Sequence, residues 1–134
     1  MDIKTGIFIV TLLVDCAVKS KKEMIGEYAS YTPVFNTGNY SLGNKLTLKK
    51  DSSFNYEGCG QIVSGKWSLI KDSLVLFCTE FNYKNKELNQ STAHRCNETI
   101  PYECFKIEDD GDLESSYKYK NRIIKNHLRK IKDF

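Results

Sequence analysis

Five cysteines, two histidines and one tight acidic run are the residues of this 134-residue chain whose types could do chemistry. The cysteines are Cys16, Cys59, Cys78, Cys96 and Cys104, and the histidines are His94 and His127. Cys78, His94, Cys96 and Cys104 carry donors suited to zinc. No close C-x-x-C pair joins them, and their spacing is not that of a hairpin-borne zinc site. His94 and Cys96 stand two apart with nothing nearby to activate a thiolate, so a catalytic Cys–His pair has no support. Glu108-Asp109-Asp110-Gly111-Asp112 gathers carboxylates as a calcium loop does. It lacks the twelve-residue ligand spacing and closing Glu of an EF-hand, and reads as a solvated turn. The chain holds no Gly-rich phosphate loop, nucleophile elbow or H-E-x-x-H motif, and nothing fixes the separation of any carboxylate pair. The expectation is a non-enzymatic protein with no catalytic residue, no metal ligand and no cofactor.

The N-terminus carries an address instead. A single Lys4 precedes an apolar run from Thr5 to Val14, which ends in Asp15-Cys16. That is the layout of a bacterial export signal. The run is too short for a bilayer-spanning helix, which needs about 20 apolar residues. Lys19, Lys21, Lys22 and Glu23 prevent its extension. Leu13-Val14-Asp15-Cys16 resembles the lipobox of bacterial lipoproteins, with Asp15 standing where that family has a small residue. The resemblance implies cleavage before Cys16 and a lipid on its thiol. Residues 1–15 are then the signal peptide, 16–24 the lipidated cysteine and a hydrophilic tether, and 25–134 the domain.

Lipidation of Cys16 would also explain an odd cysteine count in an exported chain. The remaining four allow three pairings. Proximity along the chain favours Cys96–Cys104 as a local staple and Cys59–Cys78 across adjacent strands. The formal net charge is +3 and is spread along the chain, which favours solubility over any one partner. Lys118, Lys120, Arg122, Lys125, Arg129, Lys130 and Lys132 make the end more basic. In an exported chain this stretch is a solvated face or a contact to anionic lipid headgroups; nucleic acid is not an expected partner.

The elements that must position these residues are strands. Leu46-Thr47-Leu48, Phe54-Asn55-Tyr56, Ile62 to Leu69, Leu74 to Cys78, Pro101 to Ile107 and Leu113 to Tyr119 alternate or run apolar. Polar turns at Lys49–Ser53, Lys71–Ser73 and Asp109–Asp112 separate them. Residues 82–99 read as a long surface loop. The last segment is ambiguous, because Ile124, Leu128 and Ile131 recur at helical spacing while the residues also suit a strand. The fold class is therefore all-β: an antiparallel meander closing as a barrel, with a β-sandwich as the alternative and a possible short C-terminal helix. The expected core is Leu46, Leu48, Phe54, Tyr56, Trp67, Leu69, Leu74, Leu76 and Leu113. Eight tyrosines could line a cavity in a barrel or fill the core of a sandwich.

Residues 45–57 and 65–76 share a cadence: a leucine strand, an acidic turn, an aromatic strand, then Gly65-x-Trp67 and a second acidic turn into a leucine strand. This resembles the small lipocalin-like lipoproteins of Bacteroidetes. The resemblance implies a lipocalin-like barrel, a bacterial envelope location with the outer membrane expected, and a small hydrophobic ligand. It assigns Gly65 to a close backbone approach, Trp67 to plugging the barrel floor or core, and Asp51 and Asp72 to shaping hairpins. Two functions are thus expected. One is a lipid-anchored envelope protein binding a small apolar ligand or another envelope component. The other is a protein-interaction or inhibitor module that uses the loop of residues 82–104.

Overall fold

The computed structural model describes residues 19–32, 39–58, 60–85 and 96–134. The leader, Cys16, Cys59 and His94 lie outside the described residues. The chain opens with a single helical turn, α1 (Lys21–Met24), and continues in nine strands: β1 (Gly26–Ser30), β2 (Asn39–Tyr40), β3 (Lys45–Leu48), β4 (Ser53–Gly58), β5 (Gln61–Ile70), β6 (Ser73–Tyr83), β7 (Glu103–Ile107), β8 (Leu113–Tyr119) and β9 (Arg122–Asp133). From β3 to β9 each strand pairs antiparallel with the next, and β1 pairs with both β3 and β9. Eight strands thus form a closed antiparallel meander barrel, which removes the edges an open sandwich would leave. The two-residue β2 runs parallel to β9 at Ile124 and Lys125, beyond the end of β1. The final segment is a strand. The helical spacing of Ile124, Leu128 and Ile131 is incidental, for Leu128 is buried and Ile131 lies on the outside.

Alternation places one set of side chains inside. Leu46 and Leu48 of β3, Phe54 of β4, Trp67 of β5, Leu74 and Leu76 of β6, and Leu113 of β8 are buried as expected, and Leu69 is half-buried. Tyr28, Val63, Phe105, Ile107 and Leu128 complete the core. Met24, counted with the tether from sequence, packs into it as well. Ser20 caps α1 by accepting from the Glu23 backbone N–H, and the Met24 carbonyl accepts from the Tyr28 hydroxyl at 2.7 Å.

The turns 49–52, 71–72 and 108–112 lie at the α1 end of the barrel, and this end is closed. Trp67 Nε1 donates to the Lys49 carbonyl at 3.0 Å, and the Lys21 ammonium sits 5.0 Å from the indole centroid. Asp51 shapes its hairpin by accepting from the Ser53 backbone N–H at 2.9 Å. The β8–β9 turn at the other end has Lys120 and Asn121 both at positive φ, as a two-residue primed turn requires.

One irregularity in the wall reorients the cavity end. The β5–β6 register breaks between Ser64, opposite Glu80, and Gly65, opposite Cys78, so Thr79 is an extra residue. A Cβ on Gly65 would lie 1.9 Å from the Phe77 carbonyl oxygen, so only glycine fits there. The bulge also changes which residues of β6 share the face of buried Val63: beyond it, Phe81 faces Val63 across the ladder.

Candidate ligand cavity

The apolar packing does not extend through the whole barrel. Above Phe105 and Leu128, toward the end opposite Trp67, the inward positions become polar. In β7 the inward phase of Ile107 and Phe105 continues to Glu103. In β9 the phase of Leu128 continues to Asn126, which pairs with Ser115 of β8. Tyr56 of β4 follows Phe54 on the same face and meets Phe105 edge-on at 6.1 Å. Asn44, just before β3, supplies the next polar group.

These side chains satisfy one another. Glu103 Oε1 accepts from the Ser115 hydroxyl at 2.7 Å and from Asn126 Nδ2 at 3.3 Å. Asn126 Nδ2 also donates to the Tyr56 hydroxyl, and Asn126 Oδ1 accepts from Asn44 Nδ2 at 3.1 Å. Asn44 Nδ2 donates in turn to Ser41 Oγ at 2.9 Å. Asn126 is only 3% exposed, so its amide could not be left unpaired without a penalty of about 1–3 kcal/mol.

This polar layer borders a cavity of ≈ 780 Å³. Val63, Tyr56, Tyr102 and Tyr117 give it apolar and aromatic surface. Its size falls in the range of small-molecule sites. Among the described residues that line it, Glu103 is the one that is charged. Burial raises the Glu103 carboxyl above the ordinary glutamate range, against the hydrogen bonds from Ser115, Asn126 and Tyr56. Burial also raises the Tyr56 hydroxyl, with the Glu103 charge adding to it. The same two causes push Tyr102 up to about 12.

A covalent strap borders the upper barrel. Cys78 and Cys96 form a disulfide with their Cα atoms 5.1 Å apart. The Tyr102 backbone N–H donates to the Leu76 carbonyl at 2.7 Å, and Tyr102 and Cys96 both pack against the core cluster. This pairing corrects the expected Cys96–Cys104 and Cys59–Cys78 bridges. Cys104 sits between Glu103 and Phe105 on β7, so alternation turns it to the outer face, where its thiol is free and exposed. Cys78 lies on the inner face opposite Gly65, within reach of a returning chain on the inside. The zinc reading of Cys78, Cys96, Cys104 and His94 loses two of its ligands to the disulfide.

The acidic turn also differs from expectation. Asp110 is exposed, but Asp112 is 4% exposed and anchors a cluster on the outer wall. Its carboxylate accepts from Arg129 Nε at 3.1 Å and Nη2 at 2.9 Å, and lies 2.8 Å from His127 Nε2. Burial opposes ionisation of Asp112, yet the Arg129 and His127 hydrogen bonds hold its carboxyl below the usual range. The Arg129 guanidinium stacks 3.5 Å above the Tyr31 ring. The arrangement joins β8, β9 and the end of β1.

Sequence reasoning identified the tyrosines as candidate cavity walls but missed Glu103, Asn126 and Asn44. The available signal was phase. Glu103 stands in step with Phe105 and Ile107, and Asn126 in step with Leu128, so each is a polar residue in an inward register. No protein-family model, curated protein or solved structure matches the chain. The functional reading rests on the barrel and its cavity.

Proposed function

We propose that the protein is a non-enzymatic, lipid-anchored component of the bacterial cell envelope that holds a small molecule in the cavity of its barrel. The observation that carries the binding reading is the ≈ 780 Å³ cavity at one end of a barrel whose other end is packed shut. A protein whose inward positions served stability alone would fill this volume with apolar side chains. Tyr102, Tyr117 and Val63 suit the apolar body of a ligand, and the polar layer around Glu103 suits a polar end. The ligand is therefore amphiphilic rather than wholly hydrophobic. The run from Lys4 to Cys16 supports the anchor, and the residues after Cys16 supply the tether.

The second reading, an interaction or inhibitor module using residues 82–104, draws less support. Residues 86–95 lie outside the described part of that loop. The described end, through Cys96 and Tyr102, packs inward on the core cluster rather than outward.

The test is native mass spectrometry of the protein purified from membranes of its own host in mild detergent, followed by denaturing intact mass. The expected result is a chain of residues 16–134 plus a diacylglycerol-type modification, with a small organic molecule released on denaturation. A full-length, unmodified chain would refute the anchor. A ligand-free barrel that also takes up no member of a small-molecule library would refute the binding reading.

A further inference from the structure

Glu103 poses a charge problem that the rest of the barrel does not answer. It is a carboxylate at the floor of a cavity, and its hydrogen-bond partners Ser115, Asn126 and Tyr56 are neutral. Among the described residues no lysine, arginine or histidine forms an ion pair with it, although eight such pairs occur elsewhere. Among the described residues no basic side chain lines the cavity. The described lining thus presents one carboxylate, half-buried and held in place by neutral donors. A carboxylate so placed is stabilised most by a cation delivered into the same space.

The surroundings narrow the kind of cation. Tyr56, Tyr102 and Tyr117 border the cavity, and aromatic faces attract organic cations. Glu103 accepts hydrogen bonds, so a head group bearing N–H donors gains from it beyond simple charge. A metal ion is less well matched, because the neighbouring side chains are amides and hydroxyls with a single carboxylate.

Resting on the reading of the cavity as a ligand site, we propose that it selects small organic cations. The Glu103 carboxylate acts as counter-ion to a primary ammonium group, and the tyrosines flank the body of the ligand. Negatively charged amphiphiles such as fatty acids are then disfavoured, because they would set two carboxylates against each other in a site whose described lining holds no basic side chain.

The experiment is calorimetric titration of the full chain in detergent with three probes of similar shape: phenethylamine, 2-phenylethanol and 3-phenylpropionate. Phenethylamine is expected to bind at least about tenfold more tightly than the alcohol, with no saturable binding of the carboxylate. Its affinity should rise with pH as the carboxyl ionises, with the rise displaced above the ordinary glutamate range. Among the described residues the titratable groups facing Glu103 are Tyr56 and Tyr102, both held above the ordinary phenol range and so protonated where carboxyls titrate. Glu103→Gln should remove the preference for the amine over the alcohol. Equal affinity for amine and alcohol, or preference for the carboxylate, would overturn cation selection and leave the ligand cavity standing. Failure of all three probes to bind would overturn cation selection, and the ligand cavity then stands or falls on the library test above. If Glu103→Gln does not fold, the pH dependence of the wild-type chain decides alone: an amine affinity that does not rise as the pH is raised from the ordinary glutamate range upward overturns the proposal.

Discussion

Removing the Cys78–Cys96 bridge isolates the contribution of the strap. The two cysteines are separated by 18 residues in sequence. A cross-link closing a loop of that size restricts the unfolded chain by about 3 kcal/mol in the chain-entropy treatment. Cys78 is also 2% exposed, so replacing it with alanine removes a buried sulfur from the core cluster and costs about 1 kcal/mol more. The Cys78→Ala/Cys96→Ala variant is thus expected to lose about 4 kcal/mol, a large share of the stability of a domain this size. Reductant should lower the wild-type chain by about 3 kcal/mol and leave the variant unchanged. The assay is urea unfolding followed by Trp67, the single tryptophan, which is buried at the closed end and reports global opening rather than fraying of the strap. Cys104→Ser is the control: its thiol is free and exposed, so the change should stay within about 0.5 kcal/mol. A loss on Cys104→Ser equal to that of Cys96→Ala, or a peptide map joining Cys96 to Cys104, would refute the pairing. Insensitivity of the wild-type chain to reductant would refute the energetic argument.

Three further outcomes follow from other contacts. Gly65→Ala should destabilise by about 2–4 kcal/mol in the same urea assay, because the new Cβ meets backbone atoms of Phe77 and Thr79 that move only if the β5–β6 ladder opens. Asp112→Asn should cost about 2 kcal/mol at neutral pH. Because the folded chain holds the Asp112 carboxyl low, its contribution is complete above the unfolded value and is lost as the pH falls through the folded one; the gap to the variant should close as the pH is lowered below the ordinary aspartate range, read as melting temperature against pH. Glu103 has the opposite sign, since burial raises its carboxyl: the folded chain binds that proton more tightly than the unfolded chain, so stability falls as pH rises above about 4.5. Glu103→Gln should accordingly melt at or above the wild-type temperature at neutral pH, with the difference shrinking toward pH 4.5; a constant difference would refute the burial argument.

The barrel itself was legible because most of its strands obey a single rule. Leu46 and Leu48, Phe54 and Tyr56, Leu74 and Leu76 each stand two apart with a buried face, and polar turns separate them. Non-local geometry was not legible. The expected disulfides followed distance along the chain, whereas the real bridge follows the face to which each cysteine turns. Cys104 is only eight residues from Cys96, yet β7 points it outward. Asp112 looked like one more solvated carboxylate because the partners that bury it, His127 and Arg129, arrive from a strand fifteen residues later. Met24 belonged to a charged stretch by composition, and only the turn of α1 carries it into the core.

The ambiguity of the last segment has a physical cause that bears on function. A half-buried strand announces itself by apolar residues two apart, and β9 would have done so had its inward positions all been apolar. Asn126 occupies one of them beside Leu128, which left Ile124, Leu128 and Ile131 to suggest a helical spacing. The same substitution of polar for apolar occurs at Glu103 ahead of Phe105 and at Ser115 after Leu113. These three breaks fall on three consecutive strands, and their side chains meet in one hydrogen-bonded layer at the cavity floor. Chance surface-like residues would be scattered around the barrel rather than gathered at one height. Local rules tend to fail where a site has been built at the expense of packing. The loss of strand signal in β9 and the polar floor of the cavity are therefore one feature: the barrel gives up apolar filling on β7, β8 and β9 together, at the level where a ligand would need something to hydrogen-bond.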